Sequence, residues 1–321
     1  MGTAGVLAAQ QAPEGIFYTN LWSWYHASNS SFLQTGPIKC GPIAGRVCLS
    51  ANFNASGNLD MFVDQNFLTI VTPFKILGAT YGFLVDVPFA IAGASGSAAL
   101  EPVLTARRGS VSLNSLQASG AITKGSIGDI YFQPIDLGWR FKQLDAIASA
   151  GFLAPTGAYN AAATVNIGYG HWTGLFGLGA IAYADPARTW SLSLFSHYET
   201  YASQEGRPYT LGDEALLEWG AAKTFNLPGD AFKQFNLGAV GYAQWQTTDN
   251  QINVSPATAV GSTLVHRIVE AKTRIYAAGP ALSLLTKFGL FNLRYYEEFG
   301  AQATPSGSAL FFSYSLGGKP W

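Results

Sequence analysis

The spacing of turns constrains this chain more than any single motif does. Twelve segments with a two-residue polarity repeat run through it, at 14–27, 58–73, 76–93, 126–142, 145–155, 170–184, 188–202, 212–225, 235–248, 268–285, 289–302 and 307–317. Five of the joints between them are compact and rich in turn formers: Pro73-Phe74-Lys75, Lys142–Asp145, Asp185–Arg188, Asn226–Gln234 and Thr286–Gly289. The joints that alternate with these include three long ones, 28–57, 94–125 and 249–267, made largely of Ser, Asn, Gly, Thr and Ala. A soluble sandwich has no reason to sort its loops by alternate position. A closed sheet that crosses a bilayer does, with short turns on one side and long loops on the other.

Composition narrows the reading further. Only 12% of residues are charged, about half of the ~25% usual in a soluble domain. With 18 basic and 19 acidic residues, there is no cationic face for nucleic acid. Aromatic side chains and glycine are both abundant, which fits neither a disordered chain nor a helical bundle. No apolar run is long enough for a membrane helix, and the closed barrel is the other form that a bilayer admits. The fold expected is therefore all-β: a transmembrane, antiparallel, up-and-down β-barrel of about 12 strands, with short periplasmic turns and long extracellular loops. Residues 14–321 form that barrel, and 1–13 form a separate N-terminal segment.

Alternation within the segments assigns faces. Phe291, Leu293, Tyr295 and Phe299 oppose Asn292, Arg294, Tyr296 and Glu298. Trp190, Leu192, Leu194 and Tyr198 oppose Ser191, Ser193, His197 and Glu199, while Phe235, Leu237, Ala239 and Trp245 oppose Asn236, Tyr242, Gln244 and Gln246. Val269, Ala271, Ile275 and Ala277 oppose Glu270, Lys272, Arg274 and Tyr276. With apolar faces toward lipid and polar faces toward a lumen, the lining is expected to include Asp64 and Asp86 on neighbouring strands. Tyr131, His197, Glu199, Glu218 and Tyr242 join it, and so do Glu270, Lys272, Arg274, Tyr276, Arg294, Tyr296 and Glu298. These charges either select among solutes or stiffen a narrow lumen. Pro134, inside Tyr131–Trp139, points to a bulge.

Motifs for chemistry are few. Gly177-Leu178-Gly179 resembles a nucleotide-binding glycine loop, but it sits inside a strand, where glycines let inward neighbours pack. His197 and Glu199 share a face and form half of a metal or hydrolase constellation; without a third partner they read as a polar lumen pair. No cofactor and no metal site is expected. Cys40 and Cys48 form either one disulfide closing a small loop or two free thiols, and an oxidising exterior favours the bridge. The start of the chain lacks a cationic, apolar leader, so an exported protein would be numbered from its mature end. Its small, uncharged residues Gly2–Pro13 are expected to fold into the lumen as a plug rather than trail in water.

Several short motifs, in order, resemble one family. They are Val71-Thr72-Pro73-Phe74-Lys75-Ile76-Leu77-Gly78, Gly128-Asp129-Ile130-Tyr131, Ala154-Pro155-Thr156-Gly157, Gly279-Pro280 and Tyr295-Tyr296-Glu297-Glu298-Phe299. From about residue 12 to the C-terminus the chain is similar to the phenol meta-pathway degradation (MetA-type) outer-membrane proteins. The resemblance implies an outer-membrane channel for passive uptake of small aromatic or hydrophobic molecules, with no catalytic residues, and the barrel is expected to work as a monomer. Its partners would be outer-membrane lipid and lipopolysaccharide, the solutes themselves, and the barrel-assembly machinery during biogenesis. Two other readings remain: a barrel enzyme acting on lipid, and a structural or adhesive barrel whose loops do the work. Trp321 is the terminal aromatic residue, but Gly317–Pro320 separates it from the last amphipathic strand.

Overall fold

The computed structural model describes residues 9–28, 32–40, 47–106, 109–112, 116–163, 165–206, 209–252 and 272–318. Within them one sheet closes on itself. Its strands are β1 (Gly15–Ala27), β2 (Val47–Ile76), β3 (Ala79–Ala106), β4 (Ile130–Arg140), β5 (Leu144–Ala154) and β6 (Thr173–Tyr183). The second half comprises β7 (Trp190–Tyr201), β8 (Glu214–Asn226), β9 (Phe232–Gln246), β10 (Arg274–Thr286), β11 (Gly289–Gln302) and β12 (Ser308–Gly318). Each strand pairs antiparallel with its sequence neighbour, and β1 pairs with β12 to close the ring. Closure leaves the ring of twelve strands without a sheet edge, so its ladder satisfies the crossing backbone without water, as a bilayer demands.

The long joints contain more structure than their composition suggests. β2 runs for 30 residues and β3 for 28, roughly 100 Å of chain at 3.3 Å per residue. That is far more than the ~9–11 residues needed to cross. Their outer halves pair with each other, with Phe32–Cys40 and with Leu116–Ile127. Segments 28–57 and 94–125 are thus mostly β-extension rather than irregular loop. In water such an extension needs no apolar face, so its small polar residues mimic loop composition. Most of 249–267 lies outside the described residues.

The first short turn also moves. Leu77-Gly78, not Pro73–Lys75, joins β2 to β3, with φ of 51° and 80°. Positive φ at both positions is the two-residue hairpin geometry that matches strand twist, and glycine adopts it without strain. Pro73 instead marks a register shift between Val71 and Lys75. The irregularity expected at Pro134 is present, as a register shift between Phe132 and Ile135.

Outer and inner faces separate cleanly on most strands. Leu178, Leu192, Leu194, Leu237, Leu293 and Phe299 are exposed on the outside. On the inside, Leu216, Val240, Tyr242, Ile275, Ala277, Tyr296 and Phe311 pack into one buried cluster drawn from β8 to β12. Across the lumen Ile147, Ile181, Tyr183 and Phe195 pack with Ala9 of the N-terminal segment. Gly179 is needed there: a Cβ on it would lie 2.4 Å from the Phe195 ring and 2.7 Å from the Ala9 Cβ.

Candidate functional site

The lumen is the candidate site, and it is layered. At the extracellular end, tyrosines hold carboxylates. Tyr201 donates to Glu199 at 2.8 Å and to Glu214 at 3.2 Å, and Gln244 and Thr273 also donate to Glu214. Glu298 accepts from Tyr25 at 2.8 Å, from Tyr242, and from the Gly307 amide at 2.8 Å. Period-2 geometry explains the grouping, because directly paired residues on adjacent strands share a face.

The middle layer is mainly apolar. Tyr296 and Val240 are fully buried, Arg294 lies 5.4 Å from the Phe311 ring, and Glu218 is buried between Phe195 and Tyr242 in register. His197 packs edge-on to Phe195, with ring centroids 4.3 Å apart. Glu199 receives its hydrogen bond from Tyr201, its neighbour along the same face. Among the described residues no group of three or more His, Cys, Asp or Glu is placed to hold a metal ion.

Nearer the periplasm the carboxylates are Asp86, Asp136 and Asp145. Asp86 accepts from Gln65 and from the Asn66 amide, both at 2.9 Å. Asp136 accepts from Gln133 at 3.2 Å and from Gln11 at 3.0 Å. Asp145 accepts from Tyr183 at 3.0 Å and pairs with Arg188 at 3.1 Å. The N-terminal segment is bound into this layer: Gln11 also donates to the carbonyls of Thr80 and Asp136, and Arg140 donates to the Gln11 carbonyl at 2.6 Å. A cavity of about 280 Å³ opens beside it, lined by Gln11, Ala12, Pro13, Glu14, Thr80 and Arg140.

Of the residues expected in the lining, Asp86, Tyr131, His197, Glu199, Glu218, Tyr242, Arg294, Tyr296 and Glu298 face inward. Three do not. Asp64 is on the outer face, opposite Trp22 and one pair away from Asn20 and Asn66, and accepts a hydrogen bond from Asn20 at 2.5 Å. Arg274 and Tyr276 also face outward, with Tyr276 stacked on the exposed Phe299, while Ile275 and Ala277 fill the lumen. The β10 assignment was inverted because its first residues lie at the extracellular rim, where outside is wet and the inside packs small apolar residues against Tyr242 and Tyr296. Lys272 precedes the strand and pairs with Asp249 at 3.1 Å in a loop. Glu270 lies outside the described residues. Cys40 and Cys48 are register partners.

The sequence reading missed Gln10, Gln11, Gln133, Asp136 and Asp145. Asp136 and Asp145 carry the alternation signal. The glutamines before Pro13 carry none, since their partners are more than 60 residues away.

Residues 46–314 match the family described as "Putative MetA-pathway of phenol degradation". The chain belongs to this family. Among solved structures it is similar to the COG4313 outer membrane channel from Pseudomonas putida F1, at 12% identity and a TM-score of 0.56, covering 97% of this chain and 98% of that one. It also aligns with OccD3 (OpdP) of Pseudomonas aeruginosa at 10% identity, covering 99% of this chain and 94% of that one, at a TM-score of 0.34. No curated protein matches the chain. At such identity the first structure bears on the fold alone, and it agrees with the closed barrel.

Proposed function

We propose that this barrel is an outer-membrane channel for passive uptake of small, neutral aromatic or hydrophobic molecules. A closed sheet with an apolar outer wall belongs in the bacterial outer membrane, because hydrocarbon solvates that wall and leaves no backbone unpaired. The observation that carries the reading is the inner wall: tyrosine hydroxyls and carboxylates alternate with buried apolar clusters along its length. Such a lining suits a solute with an aromatic body and a polar group better than it suits a hydrated ion. The family's link to phenol degradation and the likeness to an outer membrane channel of P. putida point the same way.

Residues 9–13 are read as the part of the N-terminal segment that narrows the periplasmic exit. Gln11 ties it to β3 and β4, and Ala9 ties it to β6 and β7. Full-length protein in planar bilayers is expected to conduct, and a chain lacking residues 1–13 to conduct more. Silence from both forms would refute a channel. Working as a monomer, with lipid and lipopolysaccharide around it, fits a ring that closes within one chain.

We also read the Cys40–Cys48 pair as a disulfide, since opposed positions on antiparallel strands suit the short Cα separation a bridge needs. Maleimide labelling of the unfolded chain should require prior reduction; labelling without it would show free thiols.

A further inference from the structure

We propose that the periplasmic rim of the barrel is a docking surface for anionic phospholipid headgroups, built from an exposed aromatic ring beside a lysine at each short turn. The inference goes beyond the channel reading and does not depend on conduction.

The chain carries the pair four times within two adjacent residues. Phe74-Lys75 precedes the Leu77-Gly78 turn, Phe141-Lys142 and Lys287-Phe288 lie in the turns after β4 and β10, and Phe232-Lys233 opens β9. At the remaining turn, between β6 and β7, the pair is assembled across two strands. There Lys223 of β8 is the register partner of Trp190 and holds its Nζ 4.8 Å from that ring. Strands that alternate in direction bring all five turns to one end, so the five pairs form a single collar.

All five rings are between 53% and 71% exposed. Apolar surface of that extent, repeated around a rim, marks a contact with something other than water. The collar is continuous with the lipid-facing wall. Phe141 bonds through its amide to the carbonyl of the exposed Leu144, and Trp190 lies two residues from the exposed Leu192 on the same face. Aromatic rings at such an edge settle between hydrocarbon and headgroup, and lysines beside them reach out to the headgroup level.

The charge of the collar selects the headgroup. Lys75, Lys142, Lys233 and Lys287 have no carboxylate partner among the described residues, and Lys287 lies 4.9 Å from the Phe288 ring. Of the acids at this end, Asp145 pairs with Arg188, and Asp185 accepts from the Thr189 and Trp190 amides. Asp230 and Glu14 do not balance five ammonium groups, so positive charge is in excess. A phospholipid with net negative charge neutralises that excess through its phosphate, whereas a zwitterionic one brings a competing cation of its own. An acidic soluble protein would reach the lysines but leave the rings, at the edge of the wall, to the bilayer.

The test uses the full chain in detergent with equimolar phosphatidylglycerol and phosphatidylethanolamine, and native mass spectrometry reads which lipid stays bound. The wild type is expected to retain phosphatidylglycerol about 5-fold over phosphatidylethanolamine, the ~1 kcal/mol of one lysine at an anionic surface. The variant Lys75→Gln/Lys142→Gln/Lys233→Gln/Lys287→Gln should lose that preference while still folding, as judged by heat-modifiable gel mobility. Should it not fold, the double variants Lys75→Gln/Lys142→Gln and Lys233→Gln/Lys287→Gln carry the same comparison. Lys124→Gln/Arg274→Gln, at the extracellular end, should keep the preference. Equal retention of the two lipids by the wild type overturns the proposal, and is the result expected if the rim docks an acidic protein instead. A preference that survives removal of the rim lysines, or that vanishes equally in the extracellular variant, overturns it too.

Discussion

Along β7 to β11 the outer wall is built largely from apolar side chains such as Leu192, Leu194, Leu237 and Leu293, and most polar side chains of the crossing stretch turn inward. Along the β1–β2 seam the same outer surface carries a polar knot. Asn20 donates to Asp64, Asn66 donates to Asp64 at 3.3 Å, and Tyr18 donates to Asn66 at 2.6 Å. Trp22, Leu68 and Phe89 surround it in register. The first wall meets lipid by removing polar groups, and the second by having each polar group satisfy another. Both obey one rule, that hydrocarbon offers no hydrogen bonds, but they should respond differently to mutation.

The largest effect is expected on the clean wall. Leu194→Arg, with no acceptor nearby, should lower the unfolding free energy by about 2–4 kcal/mol in vesicles, measured by urea titration. Next is Asp64→Leu at the knot, which strands the Asn20 and Asn66 amides and should cost about 1–3 kcal/mol. Replacing the whole knot by Tyr18→Phe, Asn20→Leu, Asp64→Leu and Asn66→Leu should restore that loss. If the fourfold variant is less stable than Asp64→Leu alone, the knot does not face lipid.

A smaller change is expected inside. Glu298→Gln keeps the shape but turns three charge-assisted contacts into neutral ones, for a loss of about 1 kcal/mol. The smallest effect lies at the periplasmic turn between β6 and β7. There the Trp190 amide, followed by the Thr189 amide and hydroxyl, holds the Asp185 carboxyl below its ordinary range. A depressed carboxyl stabilises the turn fully above its unfolded value, and the contribution fades as pH falls through the folded one. The protection of the Thr189 and Trp190 amides from hydrogen exchange, measured against the intrinsic rate at each pH, should therefore fall on acidification, and Asp185→Asn should remove that pH dependence.

The two regions also differ in what their sequences disclose. On β7, β9 and β11 polarity and face coincide at most positions, so alternation alone places Glu199, Tyr242, Arg294 and Glu298 inward. On β2 the rule that polar means inward misplaces Asp64, because three other polar side chains, two of them on β1, complete its shell. Local pattern does not report such a pairing. Arg274 and Tyr276 depart from alternation for a related reason: beyond the hydrocarbon, outside is no longer apolar. The contacts of Gln11 with Thr80, Asp136 and Arg140 depend on where the closed ring brings distant strands, which no local repeat encodes.

The most direct test of the central claim uses nitroxide labels at each position from Asn292 to Glu298 in reconstituted barrels, with collision rates read for oxygen and for a water-soluble nickel chelate. A lipid-facing outer wall predicts oxygen accessibility peaking at Leu293 and Tyr295 and falling at Arg294 and Tyr296, with a period of two. Uniform accessibility, or nickel maxima at Leu293 and Tyr295, would contradict it.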